Sequence, residues 1–430
     1  MKKIFYLFYC LMAVFAFSAC SDDDDEPEIS QVSVQLQYPE GVNPTAGVKV
    51  IMKNVSNGVP FEKVTNETGV AVFAVPEGLY EATVSDKRVV SGKVTVFNAT
   101  DPNINVDGIT TTFNLKLEKS NGGSVVIKEL YFGGCPKDDG SGQFAFDQYF
   151  ILYNNSDVDI DLSNFAIAMV NPFNSQGGKN KDYVDGVLSY AKDKKVPAGV
   201  ATWYFTSPVS LAPGKQIVVS MTGAVDHSAT YTQSVNLANS EYYCFYDLDN
   251  FDMATYYPAP FEGIPTSHYM KCYKYGLGKA WPLSQMSPAF FIFEPQGTTL
   301  KSFIDDPSTV SNYGGNEKMA RHMVPEEWVV DGIEVFKEGE TTNQKRLTNG
   351  VDAGYINFTN GLGYTIYRNV DKAATEAIAE NKGKLVMGYN DDPSQIDAEA
   401  SIKNGARIIY MDTNNSSIDM HVRKSQSLRK

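Results

Sequence analysis

The 430-residue chain predicts an all-β protein with two immunoglobulin-like β-sandwich domains, the second enlarged by long insertions that carry a short helix. Three observations predict it. Apolar and polar residues alternate over short runs, as at Val32, Val34, Leu36 and Tyr38, the period of a strand with one buried face. Turn residues such as Pro76-Glu77-Gly78 and Asn154-Asn155-Ser156 punctuate the runs. One segment alone, residues 371–381, has a helical composition, rich in Ala and Glu with Asp371 placed as its cap.

Residues 1–19 stand apart from the fold. Met1-Lys2-Lys3 is a short basic start, residues 4–17 are an apolar run broken by Tyr6, Tyr9 and Cys10, and small residues precede Cys20. That order is a secretory signal whose apolar core is too short to span a bilayer. Phe17-Ser18-Ala19-Cys20 resembles the bacterial lipobox, with Phe17 where Leu is usual, which implies cleavage before Cys20 and acylation of it. Acyl burial contributes about 0.8 kcal/mol per CH2, so more than one chain anchors a protein that spans nothing. Residues 20–30 read as an acidic tether, because Asp22, Asp23, Asp24, Asp25 and Glu26 repel one another and stay solvated. Residues 21–30 reach about 30 Å at most. An acidic run just after an acylated cysteine also resembles the surface-export signal of one group of Gram-negative bacteria. The resemblance implies an outer-membrane lipoprotein exposed on the cell surface.

The chain carries a formal charge of −14, and removal of Lys2 and Lys3 with the signal leaves 35 basic against 51 acidic residues, or −16. That balance argues against a nucleic-acid partner. Cys135, Cys244 and Cys272 remain after Cys10 and Cys20 are set aside. Three thiols allow at most one bridge, and Cys244 with Cys272 is the better pair on spacing.

The first sandwich is expected over residues 31–120. Its strands read at residues 32–38, 48–52, 69–75, 79–84, 93–97 and 112–117. Thr65-Asn66-Glu67-Thr68-Gly69-Val70, followed by Pro76-Glu77-Gly78-Leu79-Tyr80, resembles the carboxypeptidase-regulatory-like and Cna-B-like sandwiches. That resemblance implies a spacer or adhesive stalk without catalysis. Ser120-Asn121-Gly122-Gly123-Ser124 reads as a flexible linker.

The second domain is expected over residues 124–430. Residues 125–132 form a buried-type strand. Tyr149-Phe150-Ile151-Leu152-Tyr153-Asn154 and then Asp161-Leu162-Ser163 read as two runs of a hairpin and resemble the lamin-tail domain. Leu211-Ala212-Pro213-Gly214-Lys215 with the strand after it, residues 328–336, and residues 412–417 resemble later parts of that family in order. The segment is far longer than a lamin-tail sandwich, so insertions are expected near residues 170–200, 223–310 and 370–410. Taken whole, the chain resembles a family of bacterial lipoproteins of uncharacterised function.

No known catalytic signature is present: neither Gly-x-Ser-x-Gly, His-Glu-x-x-His nor a phosphate-binding Gly loop occurs. Ser189-Tyr190-Ala191-Lys192 matches Ser-x-x-Lys without its companion motifs. His268 and Cys272 lack the paired spacing of a zinc site. The acid-rich runs at residues 247–252 and 412–416 offer oxygens, but the first lacks the glycine and closing acid of a calcium loop. The expectation is a non-enzymatic protein without a cofactor, with a carbohydrate- or nucleotide-active enzyme whose carboxylate site the sequence hides, or a purely structural envelope protein, as the alternatives. Its binding surface is expected at Tyr242, Tyr243, Tyr246, Tyr256 and Tyr257, on an insertion dense in aromatics and aspartates. The expected partners are the membrane, through the lipid on Cys20, and an outer-membrane transporter or a glycan ligand.

Overall fold

The computed structural model describes residues 28–429 apart from 91–92, 122 and 179. Cys20, the signal segment and most of the acidic tether lie outside the described residues. The chain is all-β, with four α-helices of four to six residues among the described residues.

The alternating runs near the N-terminus become strands β1 (Ile29–Gln37), β2 (Lys49–Asn54), β3 (Pro60–Val64), β4 (Val70–Pro76), β5 (Gly78–Val90), β6 (Lys93–Val106), β7 (Thr112–Lys116) and β8 (Glu118–Asn121). They form a three-stranded sheet, β4-β1-β7, packed on a five-stranded one, β3-β2-β5-β6-β8. Alternate residues point inward, so Val32, Val34, Leu36, Phe73, Tyr80 and Val84 share one core. The Pro76-Glu77-Gly78 turn is closed by Tyr80, whose hydroxyl donates to Pro76 O at 2.8 Å. Gly78 sits at φ 149°, where a side chain would be strained. Strand β3 has no counterpart in the sequence expectation. Strand β8 takes in Ser120 and Asn121, residues read as linker, and pairs with β6.

The remainder is organised by a twelve-stranded sheet. Its order runs from Ile356–Phe358 through Val329–Lys337, Ala289–Phe293, Ala166–Met169, Ala201–Tyr204, Tyr269–Lys274, Tyr243–Phe245, Gln216–Ser220 and Tyr149–Asn154 to β9 (Val125–Tyr131), Thr365–Arg368 and Met420–Arg423. The two outer strands approach each other, and Asp331 reaches across the gap to Ile127 N at 2.6 Å and to the Arg368 guanidinium. The sheet is thereby nearly closed around one core, where Trp203 stacks on Phe245 at 4.2 Å. The two lamin-tail-like runs do not form the expected hairpin. Tyr149–Asn154 pairs with β9 and Gln216–Ser220, whereas Ile160–Asp161 pairs with Ser210–Leu211.

The insertions bury the outer face of this sheet as well. Residues from 170–200 and 300–351 cover Ala166 and Phe291, and the 370–410 segment covers Val126 and Tyr367. Every residue of β9 is therefore buried, Lys128 and Glu129 included. The expected helix is a single turn and a half, Lys372–Glu376, with the Asp371 side chain accepting Ala374 N at 3.0 Å. Cys135, Cys244 and Cys272 are all free and buried. Cys244 and Cys272, the better pair on spacing, are not bridged. Cys272 faces the barrel core, and Cys244 packs on the other side with Ala224 and Ile264.

Candidate functional site

The outward face of the five-stranded sheet is polar. Strand β2 turns Lys49, Ile51 and Lys53 outward, and β5 turns out Glu81, Thr83, Ser85 and Lys87. The larger body packs against this face side-on. Asn415 Nδ2 donates to Thr100 Oγ1 at 3.1 Å, Asn98 Nδ2 donates to Thr413 O, Lys87 lies 4.0 Å from Asp371, and the Tyr355 hydroxyl faces the Glu81 carboxylate. Between these contacts the walls stay apart and enclose a groove of about 1070 Å³. Its second wall comes from Tyr355, Asn357, Asn369, Thr413, Ser416 and Ser417, with Met411, Ile418 and Met420 among them.

That second wall is held rigidly. The Asp419 carboxylate accepts Thr413 N at 2.8 Å, Thr413 Oγ1 at 2.8 Å and Asn415 N at 3.2 Å. Asp352 accepts Ser416 N at 2.8 Å, Ser416 Oγ at 2.6 Å and Gly354 N at 2.9 Å. Tyr355 is clamped by Ser417, whose hydroxyl donates to Tyr355 O at 2.8 Å, and it stacks on Phe336 at 4.1 Å.

Two of the three lysines that line the groove are paired. Lys49 pairs with Glu62 at 2.9 Å and Lys87 faces Asp371. Burial pushes the Glu81 carboxyl up, and the Tyr355 hydroxyl and the Lys53 and Lys345 ammonium groups offset part of that. Burial and then the Glu81 charge push the Tyr355 hydroxyl up. Behind the groove wall, Arg368 serves three aspartates, of which Asp412 lines the groove: it bonds Asp331 and lies 3.7 Å from Asp419 and 4.0 Å from Asp412. One guanidinium cannot neutralise three buried carboxylates. Burial and the neighbouring Asp331 therefore raise the Asp412 carboxyl. The Ser85 hydroxyl is buried and has no hydrogen-bond partner. The groove can hold a ligand by many neutral hydrogen bonds and presents no strong field of one sign.

Among the described residues, no group of three or more His, Cys, Asp or Glu could hold a metal ion. Of the acids at residues 247–252, Asp247 is in use and bonds Asn250, Lys271 and Cys272 N. Within 412–419, the Asp419 carboxylate is engaged in the rim bonds given above.

The five tyrosines proposed from the sequence do not form one outward patch. Tyr257 is 3% exposed and its hydroxyl accepts Trp281 N at 2.9 Å, so it belongs to the barrel core and offers no face to a ligand. Tyr242, Tyr243, Tyr246 and Tyr256 are half-buried. Tyr243 stacks on His268 at 4.1 Å, Tyr246 meets Tyr269 edge-on at 5.3 Å, Tyr256 meets Phe146 edge-on at 5.0 Å, and Tyr242 packs under Leu237. None of the five lines the groove. The groove residues escaped sequence reasoning because a polar strand face next to an apolar one reads as solvent-exposed. The 412–416 run was the one signal that pointed there.

A family model described as "Protein of unknown function (DUF4876)" matches residues 212–427. The crystal structure of a DUF4876 family protein from Bacteroides thetaiotaomicron is similar over 91% of this chain and 94% of its own, with a TM-score of 0.53 at 20% identity. A DUF3823 family protein from Parabacteroides merdae covers 34% of this chain and 67% of its own, with a TM-score of 0.17 at 14% identity. A putative adhesin from Bacteroides ovatus covers 32% and 66%, with a TM-score of 0.18 at 14% identity. No curated protein matches the chain.

Proposed function

The chain belongs to the DUF4876 family, whose function is unknown, and we propose that it is a non-enzymatic, lipid-anchored binding protein displayed on the outer membrane. Cys20 carries the anchor in this reading, the acidic run is the tether, and the groove holds the ligand. The observation that carries it is the groove of about 1070 Å³ with one wall from each body. Ligand sites favour such junctions, and a cleft of this size exceeds what imperfect packing leaves behind. The first sandwich then works as half of the binding site as well as a spacer. A transporter or other envelope partner would receive what the groove captures.

A second reading is enzymatic. It draws on Glu81 and Asp412, two groove carboxyls raised by burial. Glu81→Gln separates the two: a binding protein keeps its ligand, whereas an acid–base enzyme keeps the ligand and loses turnover.

Three measurements test the proposal. Protease added to intact cells should cleave the protein, and Cys20→Ala should release it folded into the soluble fraction. Thermal-shift screening of sugars, peptides and nucleotides should find ligands that stabilise the wild type and not Ser85→Trp, which fills the groove. Ligands that stabilise both proteins equally would place the site elsewhere.

A further inference from the structure

Taking the groove as the ligand site, we propose that its occupant is a neutral, extended oligosaccharide. The shape comes first. The groove follows β5 from Glu81 to Lys87, and the six steps along that strand span about 20 Å. A compact metabolite would leave most of that length empty, whereas a chain of several sugar units would fill it.

The chemistry of the walls narrows the class. Thr83 and Asn357 offer donors and acceptors along the groove, the Ser417 hydroxyl keeps one free accepting lone pair, and Ile51, Ile356 and Ile418 lie between them. That alternation suits a ligand with hydroxyls at its rim and C–H faces in between. Polyanions are disfavoured, since Lys49 and Lys87 are already matched to Glu62 and Asp371 and the chain is strongly acidic. A peptide cannot add as an extra strand to the sandwich wall. Strand β2 is paired on both sides by β3 and β5, and β5 by β2 and β6, so this wall offers no free ladder edge.

Isothermal titration of the full chain with linear neutral gluco- and manno-oligosaccharides of increasing length tests the proposal. A sulfated oligosaccharide and a mixed unstructured peptide pool serve as comparisons. Affinity should rise with length until the chain fills the groove and then level off. Ser85→Trp should weaken binding by more than about tenfold. Asn357→Ala, an exposed truncation that leaves the fold alone, should weaken it by about threefold to tenfold. If the peptide pool or the sulfated sugar binds, is blocked by Ser85→Trp, and no neutral sugar binds, the ligand class is wrong and the groove stands. If neither substitution changes the binding of a neutral sugar, both the class and the groove assignment fall. Absence of binding by every neutral chain also overturns the class.

Discussion

Asp147 shows how much a single buried group sets the behaviour of this protein. Burial pushes its carboxyl up to about 7, against hydrogen bonds from Ser234 and Tyr131 that pull it down. One of its oxygens, Oδ1, has no hydrogen-bond partner. The folded protein therefore binds this proton more tightly than the unfolded chain does. The stability it contributes is fully present below about pH 4 and is lost as pH rises through 7. At 1.36 kcal/mol per pKa unit the loss is about 4 kcal/mol at most. Asp147→Asn should remove this slope: urea midpoints at pH 5 and pH 8 should lie closer together in the variant than in the wild type. An unchanged gap would mean that other groups carry the pH dependence. None of this was legible in the chain, where Asp147 reads as a polar residue ahead of a strand. Its cost arises only when Ser234 and Cys135 close over it.

At the scale of elements, strands with one solvent face were readable and strands buried on both faces were half-readable. The alternation at β1, β2 and β4 placed those strands to within a few residues. Val125–Tyr131 was recognised as buried, but what would cover Lys128 and Glu129 was not, because the cover comes from residues 370–410 and the C-terminal tail. The groove was hidden for a related reason. Its polar wall on β2 and β5 has the same pattern whether it meets water or a second body. Turn chemistry failed at residues 154–163, where a hairpin was expected and the strand crosses instead to distant partners. Elements built by such long-range pairing rely on buried polar pins. Arg346 is the clearest. It donates to Glu334 at 2.7 and 3.0 Å and to the carbonyls of Pro172, Phe173, Ser287 and Val335, tying the 170–200 insertion to the barrel. Arg346→Met leaves the buried Glu334 charge unmatched and should cost about 3–5 kcal/mol in chemical denaturation. Adding Glu334→Gln should recover much of that loss. A double variant as unstable as the single one would show that the carbonyl contacts, rather than the ion pair, carry the effect.

For the whole molecule, the decisive fact is that the two bodies share no core. The first sandwich buries its own residues between Val32 and Leu117, and the barrel and its flanking clusters begin at Val125. What joins them is a handful of polar contacts around a groove, the kind of junction across which relative motion is expected. Cooperativity within each body should therefore exceed cooperativity between them. Calorimetry of the ligand-free protein should resolve two transitions, and the fragment covering residues 28–121 should reproduce one of them. A ligand that touches both walls changes this, because unfolding either body destroys the site. At a hundredfold excess over Kd it adds about 2.7 kcal/mol to whichever body unfolds first. The lower transition should climb toward the upper one as ligand is added, until the two merge. A ligand that raised only one transition, with the other free to pass below it, would sit on a single body. The groove would then be a gap between two independent modules instead of a site that both of them build.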